Sequence, residues 1–495
     1  MERFFLFLPL ILYVLVLISI GLSSGKESTS IEGYYAAGKK LRYWIISFST
    51  NATGESSWLL LGLTGMGYAV GFHAFWVVLG EVLGVTVCWI YLARPFKVYT
   101  DRFKSITVPD FLEDRFQDRN HILRIISAVI LVTMVTSYVA AQLTAAGKAF
   151  KSFLAVDFLT GTIIGLIIIM FYTVVGGLKA VARADFFHGI LMLSGLIVLP
   201  VTTLIHAGGI GEMTAVLDSI DPSMLKLTGA HGFSTAGILS IIGFLGIGLA
   251  FLCSPQIAVR FIAAKDQDEL IRGKYIAILF ILLVDSGAVL AGMAGRVLFP
   301  SLEDQELILP VLSSELFPAF ITGIFIAIVL AAIISTVDSL LILLSSSVIR
   351  DIYQKIINPD ELQKKVVLYG KIMTVIVGAA AFLFSLSENR LIFWFVLFAW
   401  AGIGSAFCPV IIVSLFWKGI TRQGAAAGMA CGFLSAMVWA LFFSEPTGLY
   451  EMVPGFIGSF LAIFIVSFFT RPPENAAREL QDVSEQVRNY GGTPQ

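Results

Sequence analysis

The sequence predicts an all-α integral membrane protein of about 13 transmembrane helices. Three observations carry that prediction. Apolar residues make up 57% of the 495-residue chain and charged residues 14%, with a mean hydropathy of +0.88; a soluble chain of this length needs far more charge on its surface. Apolar runs long enough to cross a hydrocarbon core of about 30 Å recur from one end of the chain to the other. Basic residues gather in alternate connecting segments, as the cytoplasmic loops of a polytopic protein require.

The first run, 4–22, has only Glu2 and Arg3 ahead of it, whereas Lys26, Lys39, Lys40 and Arg42 follow. A signal peptide has its positive charge first and a small-residue cleavage site after the apolar core. This run therefore reads as a retained helix with its N-terminus outside. The second run, 44–71, contains the polar stretch 49–57, and the third occupies 74–93. A basic loop leads to the fourth, 122–147; the fifth, 156–178, and sixth, 185–207, are joined through Lys179 and Arg183. The outer loop 208–234 is too short to fold alone. The seventh run, 235–259, carries Gly246, Gly248 and Pro255. Six more follow at 275–295, 317–347, 372–387, 391–416, 424–443 and 451–470. The tail, 471–495, opens with Pro472-Pro473, is charged, and is expected to be mobile beyond a short helix.

The loop charges test this layout. With the N-terminus outside, 27 of the 33 Lys and Arg residues fall in inner segments, leaving Arg3, Lys148, Lys151, Lys226, Arg296 and Arg390 outside. The C-terminus is then cytoplasmic. A net charge of −1 excludes the basic face that a nucleic-acid partner requires. Cys88, Cys253, Cys408 and Cys431 are far apart within apolar runs and read as small packing residues, without disulfide or metal-ligand spacing. No metal-ligand cluster, nucleophile with its base, or phosphate loop marks an enzyme.

In a bilayer a helix can break only where the freed backbone is buried or lines a cavity. Run two breaks at Ser49-Thr50-Asn51-Ala52-Thr53-Gly54-Glu55-Ser56-Ser57, and run seven has a similar character near Gly246, Gly248 and Pro255. Two interrupted helices five spans apart point to an inverted-repeat transporter with a midplane site. Isolated glycines such as Gly62, Gly65 and Gly80 read as close helix packing. Glu55 is different, because an intramembrane carboxylate is costly and marks function by default. Asp338 follows Ser335 and Thr336 and precedes Ser339, placing hydroxyl and carboxylate oxygens within about one turn. Hard cations want several such oxygens. Ser335 and Thr336 taken alone fit equally well as hydroxyls bonded back to their own helix. Asp185 reads either as part of a cation site or as a helix cap at the cytoplasmic edge. Glu81 and Asp285 have no polar cluster around them in sequence and receive no role.

At these residues the chain resembles the sodium:solute symporter family, and within it the sodium/proline symporters. The resemblance rests on 52–65 (ATGESSWLLLGLTG), Thr107-Val108-Pro109-Asp110-Phe111 with Arg115-Phe116, and 123–127. It extends through Gly176-Gly177, Ala180-Val181 and Asp185, then Pro255 with Val259-Arg260-Phe261, then Ser335-Thr336, and finally Phe416-Trp417-Lys418-Gly419 with Thr421-Arg422 and Gly424-Ala425. It implies a leucine-transporter-type core of five plus five helices with extra helices added. On that frame 1–43 is an outer helix and loop, 44–207 the first repeat (spans two to six), and 208–416 an outer loop with the second repeat (spans seven to eleven). Two C-terminal helices occupy 417–470 and the tail 471–495. The resemblance implies sodium bound by the backbone carbonyls of Ala52, Glu55 and Ala332 with the hydroxyls of Ser335 and Thr336. It places a second cation candidate at Asp185, Asp338 and Ser339, and the solute near Glu55, Ser56, Ser57, Trp58, Tyr138, Gln142, Phe251 and Pro255. The chain departs from the proline carriers in three places. Gly54 stands where they have an acidic residue, with Glu55 one place later. Ile247 and Phe251 align with a Trp and a Tyr, and His188 with a glutamine. Glu55 suits a cationic or amino-bearing solute, or the uptake of a proton; His188 suits packing or a hydrogen bond. The expected function is sodium-coupled import of a small organic solute, an amino acid such as proline or a related molecule, into a cell through the plasma membrane. Sodium is the coupling ion, with no other cofactor, and the partners are solute, sodium and lipid. A transporter-fold solute sensor, or a symporter for a sugar or carboxylate, is the alternative.

Overall fold

Lipid offers no hydrogen bonds, so a chain this apolar must satisfy its backbone internally, and helices do so within each segment. The computed structural model describes residues 2–25, 30–386 and 391–490; Lys26, Arg390 and the end of the tail at 491–495 lie outside the described residues. Among the described residues the regular structure is helical, and the extended pairing is one bridge between Leu41 and Ala264. Ten helices among the described residues are long and apolar enough to cross a membrane. One of these, Tyr43–Arg102, holds both the second and the third expected spans, with the chain turning at Gly71 (φ 60°) between them. Two shorter apolar helices, Phe158–Met170 and Met452–Phe468, stand where the fifth and thirteenth spans were expected.

Burial sorts the spans by depth. In Ala319–Ile357 and Ile392–Phe416, 83% and 89% of the apolar window is buried inside the protein, against 22% for Arg3–Ser24 and 28% for Arg422–Phe442. Spans nine and eleven are thus central, and the first and twelfth turn side chains such as Leu15 and Leu441 outward, as lipid contact permits. Where central spans cross, small residues let backbones touch. A Cβ on Gly80 of span three or on Gly248 of span seven would run into backbone of the opposite span.

Several elements differ from the sequence reading. Spans five and six form one helical run, Phe158–His206, broken at Gly177 (φ 60°, ψ −172°). The supposed loop 179–183 is therefore helical. Asp185 lies about two turns beyond the break, so it caps nothing. Ala319–Ser345 continues through widened turns to Ile357, absorbing part of the expected loop after it. The tail forms the short helix expected of it, and that helix is docked: Ala476–Asn489 packs against Ala93–Arg102 through Arg102 to Asp482 (2.9 Å) and Arg94 to the Val487 carbonyl (2.6 Å), while Glu479 pairs with Arg115 (3.5 Å). Cys88, Cys253 and Cys408 are buried as packing residues, but Cys431 is exposed.

Candidate functional site

Span two is helical over Tyr43–Ser57, then Ser56 takes φ 55°, ψ −169°, a region that is nearly glycine's own and costs about 1–3 kcal/mol for other residues. The Ser56 hydroxyl offsets part of that by accepting the Trp58 N–H at 3.1 Å. Span seven breaks in parallel: Thr235–Gly246 tightens into a 3-10 turn at Ile247–Leu252, Cys253 takes φ 109°, and Pro255 starts Pro255–Ala263. Span nine crosses beside the first break. The Ser335 hydroxyl donates to the Ala52 carbonyl at 2.9 Å and shares its hydrogen with the Ala332 carbonyl at 3.0 Å, and Thr336 donates to the Thr53 carbonyl at 3.1 Å. Ala52, Ala332, Ser335 and Thr336 are thus brought together, with Thr53 added. The Glu55 carbonyl accepts the Trp58 N–H, which leaves it one further lone pair.

One turn along, Asp185, Asp338 and Ser339 also meet, around a residue the sequence reading had assigned to a loop. Arg260, fully buried in Pro255–Ala263, reaches Asp185 Oδ2 at 3.2 Å and Thr53 at 2.8 Å with Nη2, Ser49 at 3.1 Å with Nε, and donates to Ser339. Ser49 and Thr53 donate to the same Asp185 oxygen at 2.6 and 3.5 Å. Ser339 donates to Asp338 at 3.3 Å and to the Ser335 carbonyl at 2.8 Å. A guanidinium therefore already supplies positive charge where a second cation was expected. His188 is buried, with Nε2 at 3.1 Å from the Tyr13 hydroxyl and Nδ1 at 3.7 Å from Asp185.

The expected solute residues divide. Gly54, Trp58 and Tyr138 line a small cavity together with Glu81, Ile247, Val396, Leu397 and Trp400. It offers about 10 Å³ to the centre of a water molecule, room for about one. Phe251 supports it edge-on to Trp400 (centroids 5.2 Å apart) and fills the space a side chain on Gly54 would need. Gln142 ties the break to span four by accepting from the Ser57 N–H at 3.2 Å and hydroxyl at 2.8 Å. Pro255 starts the second half of span seven and is not among the lining residues. Trp400, Val396 and Leu397 were missed, because aromatic and apolar side chains in a central span carry no sequence signal of their own.

The largest correction concerns the carboxylates. Glu81 on Phe75–Val87 and Asp285 on Gln267–Leu298, given no role in sequence, meet Glu55 at the break of span two. One oxygen from each lies within 4.8 Å of the other two, a grouping able to hold a metal ion. All three residues are buried, and among the described residues none is paired with a basic side chain; both oxygens of Glu55 and Asp285 and Oε2 of Glu81 have no hydrogen-bond partner outside the group.

A family model described as the sodium:solute symporter family matches residues 34–432. The high-affinity proline transporter PutP of Bacillus subtilis is 35% identical over 479 residues, spanning 96% of this chain and 99% of its own length. The osmoregulated proline transporter OpuE of the same organism is 32% identical, covering 96% and 97%. A sodium/proline symporter of Staphylococcus aureus is 33% identical, covering 94% and 93%. Among solved structures, a substrate-bound outward-open sodium-coupled sialic acid symporter superposes with a TM-score of 0.79 at 19% identity, over 94% of this chain and 98% of that one. MhsT in complex with L-phenylalanine gives 0.52 at 16%, over 86% and 97%. The fold is thus the leucine-transporter-type arrangement of sodium symporters.

Proposed function

We propose that this chain, which belongs to the sodium:solute symporter family, imports an amino acid of proline's kind, or a related small molecule, by alternating access. It is a multi-pass membrane transporter that uses sodium as its coupling ion. The two repeats are 44–207 and 208–416, the N-terminus is outside, the C-terminus is cytoplasmic, and the membrane is the cell's own; the distribution of basic residues supports that orientation.

The observation that carries the reading is the Ser335 hydroxyl set between the carbonyls of Ala52, at the break of span two, and Ala332 in span nine. In the proposed site these carbonyls, that of Glu55 and the hydroxyls of Ser335 and Thr336 turn lone pairs to sodium, each hydroxyl hydrogen moving to another acceptor. One ion then ties the broken helix to span nine. Solute completes the adjoining cavity. Closure over both stabilises the occluded state, and loss of sodium to the low-sodium side releases the break and the solute with it. Asp185, Asp338 and Ser339 form a structural junction held by Arg260 or a second cation position in another state.

The test is uptake of labelled proline, other amino acids, sugars and carboxylates into proteoliposomes, with and without an inward sodium gradient. Sodium-driven accumulation is expected for at least one amino acid. Ser335→Ala and Thr336→Ala are each expected to raise the sodium concentration for half-maximal uptake by about tenfold or more, the equivalent of one lost ligand. Sodium-independent uptake, or unchanged sodium dependence in both variants, rules the reading out.

A further inference from the structure

We propose that Glu55, Glu81 and Asp285 form a seat for an organic ammonium group, so that the transported solute is one that presents a positively charged nitrogen to this wall of the cavity. The proposal rests on the transport reading above and specifies the chemistry of its solute.

The starting point is charge. Three carboxyl groups converge from three helices with one oxygen of each within 4.8 Å of the others, in a fully buried position. Five of their six oxygens have no hydrogen-bond partner outside the triad, and among the described residues no Lys, Arg or His pairs with any of them. The nearby buried arginine is committed elsewhere, to Asp185, Thr53, Ser49 and Ser339. Buried acceptors of this kind call for donors carrying positive charge, and an ammonium supplies both. Two protons kept by the triad neutralise the other two carboxyls, leaving one carboxylate to face a singly charged ammonium.

The surroundings decide which cation. Glu81 belongs both to the triad and to the cavity lining, so the carboxyl cluster opens onto the solute cavity itself. The rest of that lining is aromatic and apolar: Trp58, Tyr138 and Trp400 with Ile247, Val396 and Leu397. Trp58 stacks on Phe393 at 5.4 Å, and Trp400 meets Tyr138 edge-on at 6.3 Å, so packed aromatic rings share the cavity wall with Glu81. The triad's own six oxygens would also suit a hard inorganic cation, so the aromatic wall beside it is what favours an organic one. An ammonium is attracted both by carboxylate oxygens and by aromatic faces. No basic side chain lines the cavity to receive an anionic group. Trp58 adds a second mark of an intended ligand, since its buried Nε1 donor also has no partner.

The test uses the purified full chain in detergent or nanodiscs and follows thermal stabilisation and binding in sodium and in potassium. The probes are L-proline, proline methyl ester (which keeps the ammonium and loses the carboxylate), N-acetylproline (the reverse), 1,4-diaminobutane, and Ca²⁺ and Mn²⁺ alone. Binding is expected for the methyl ester or the diamine and not for N-acetylproline. Glu81→Gln and Asp285→Asn are each expected to weaken it by about tenfold or more, while stabilisation by sodium alone persists and certifies that both variants fold. Three results overturn the proposal: N-acetylproline binding as well as the ester; amine affinity unchanged in both variants; or no amine binding at all. Saturable Ca²⁺ or Mn²⁺ binding lost in the same variants, with amines inert, also overturns it and assigns the triad to an inorganic cation. Failure of sodium to stabilise the chain or promote binding counts against the transport reading alone; amine binding that depends on Glu81 and Asp285 would still support the seat.

Discussion

At the scale of single residues, Arg260 bears directly on stability. Its guanidinium is buried and bonded to Asp185, Thr53, Ser49 and Ser339. Removing one partner of a buried pair leaves an uncompensated charge, at a cost of about 3–5 kcal/mol. Arg260→Met is therefore expected to lower the thermal unfolding midpoint sharply, and Arg260→Met with Asp185→Asn to recover a large part of the loss. A double variant no more stable than the single would show that the pair is not what Arg260 contributes. Gly54 makes a smaller point: Phe251 occupies the space of any side chain there, which explains why the acidic group sits one residue later, at Glu55. These residues also mark what the sequence could disclose. Asp185, Asp338, Ser335 and Thr336 were legible because hydroxyls and carboxylates in apolar runs are costly enough to stand out. Arg260 was not, since a lone arginine ending an apolar run looks like a loop charge until the helix is seen to carry it inward. Glu81 and Asp285 were invisible as a pair because each is a single carboxylate in its own helix, and only packing of three helices brings them to Glu55.

At the scale of elements, the short helix Val108–Phe116 is joined to spans four and nine by one ionic cluster. Thr107 accepts the Asp110 N–H as its N-cap and donates to Asp351 at 2.9 Å. Arg124, buried at the start of Ile122–Leu154, bonds Asp110 at 2.9 Å, Glu113 at 2.6 Å and Asp351. Burial works against ionisation of Asp110, but the guanidiniums of Arg350 and Arg124 outweigh it and hold its carboxyl below the usual aspartate range. Such a group adds stability that is fully present above its unfolded value of about 4 and is lost as pH falls through the lower folded value. The share of the midpoint contributed by Asp110 is thus expected to be flat from about pH 5 to 8 and to fall below about pH 4. Asp110→Asn should lower the midpoint by a constant amount across the plateau and remove part of the acid limb. Thermal unfolding of both proteins across that pH range checks this, and an equal acid limb in the variant would refute it. The break positions of spans two and seven were readable from polar residues, glycine and proline. The merging of spans five and six was not, because one glycine at φ 60° replaces the loop that Lys179 and Arg183 suggested.

At the scale of the whole molecule, the small cavity lined by Tyr138 of span four lies between two ionic latches at opposite ends of that span. Arg124 stands near the start of Ile122–Leu154, while Lys148, about 36 Å farther along the helix, pairs with Asp304 and Glu306 at 3.0 Å each. Glu306 in turn accepts the N–H groups of Ile392 and Phe393 at 2.9 and 2.8 Å, so this latch also holds the start of span eleven. A cavity of about 1,080 Å³ adjoins it, lined by Tyr68, Lys148, Arg296 and Asp304. Both latches are made here, which suits an occluded state in which access to either side requires one of them to open. In the proposed orientation the Lys148 latch faces out and the Arg124 cluster faces in. Weakening each with a near-isosteric change should then shift the same equilibrium in opposite directions. Asp304→Asn favours the outward-open form, which binds sodium, and is expected to lower the sodium concentration for half-maximal binding. Asp351→Asn favours the inward-open form and should raise it. Each shift is expected to be about threefold to tenfold, since one latch interaction biases the two states by about 1 kcal/mol. Sodium titrations of the purified chain, followed by stabilisation, read both values directly. Shifts of the same sign would mean that the two clusters only hold the protein together, whereas opposite signs would show that they gate access from the two sides of the membrane.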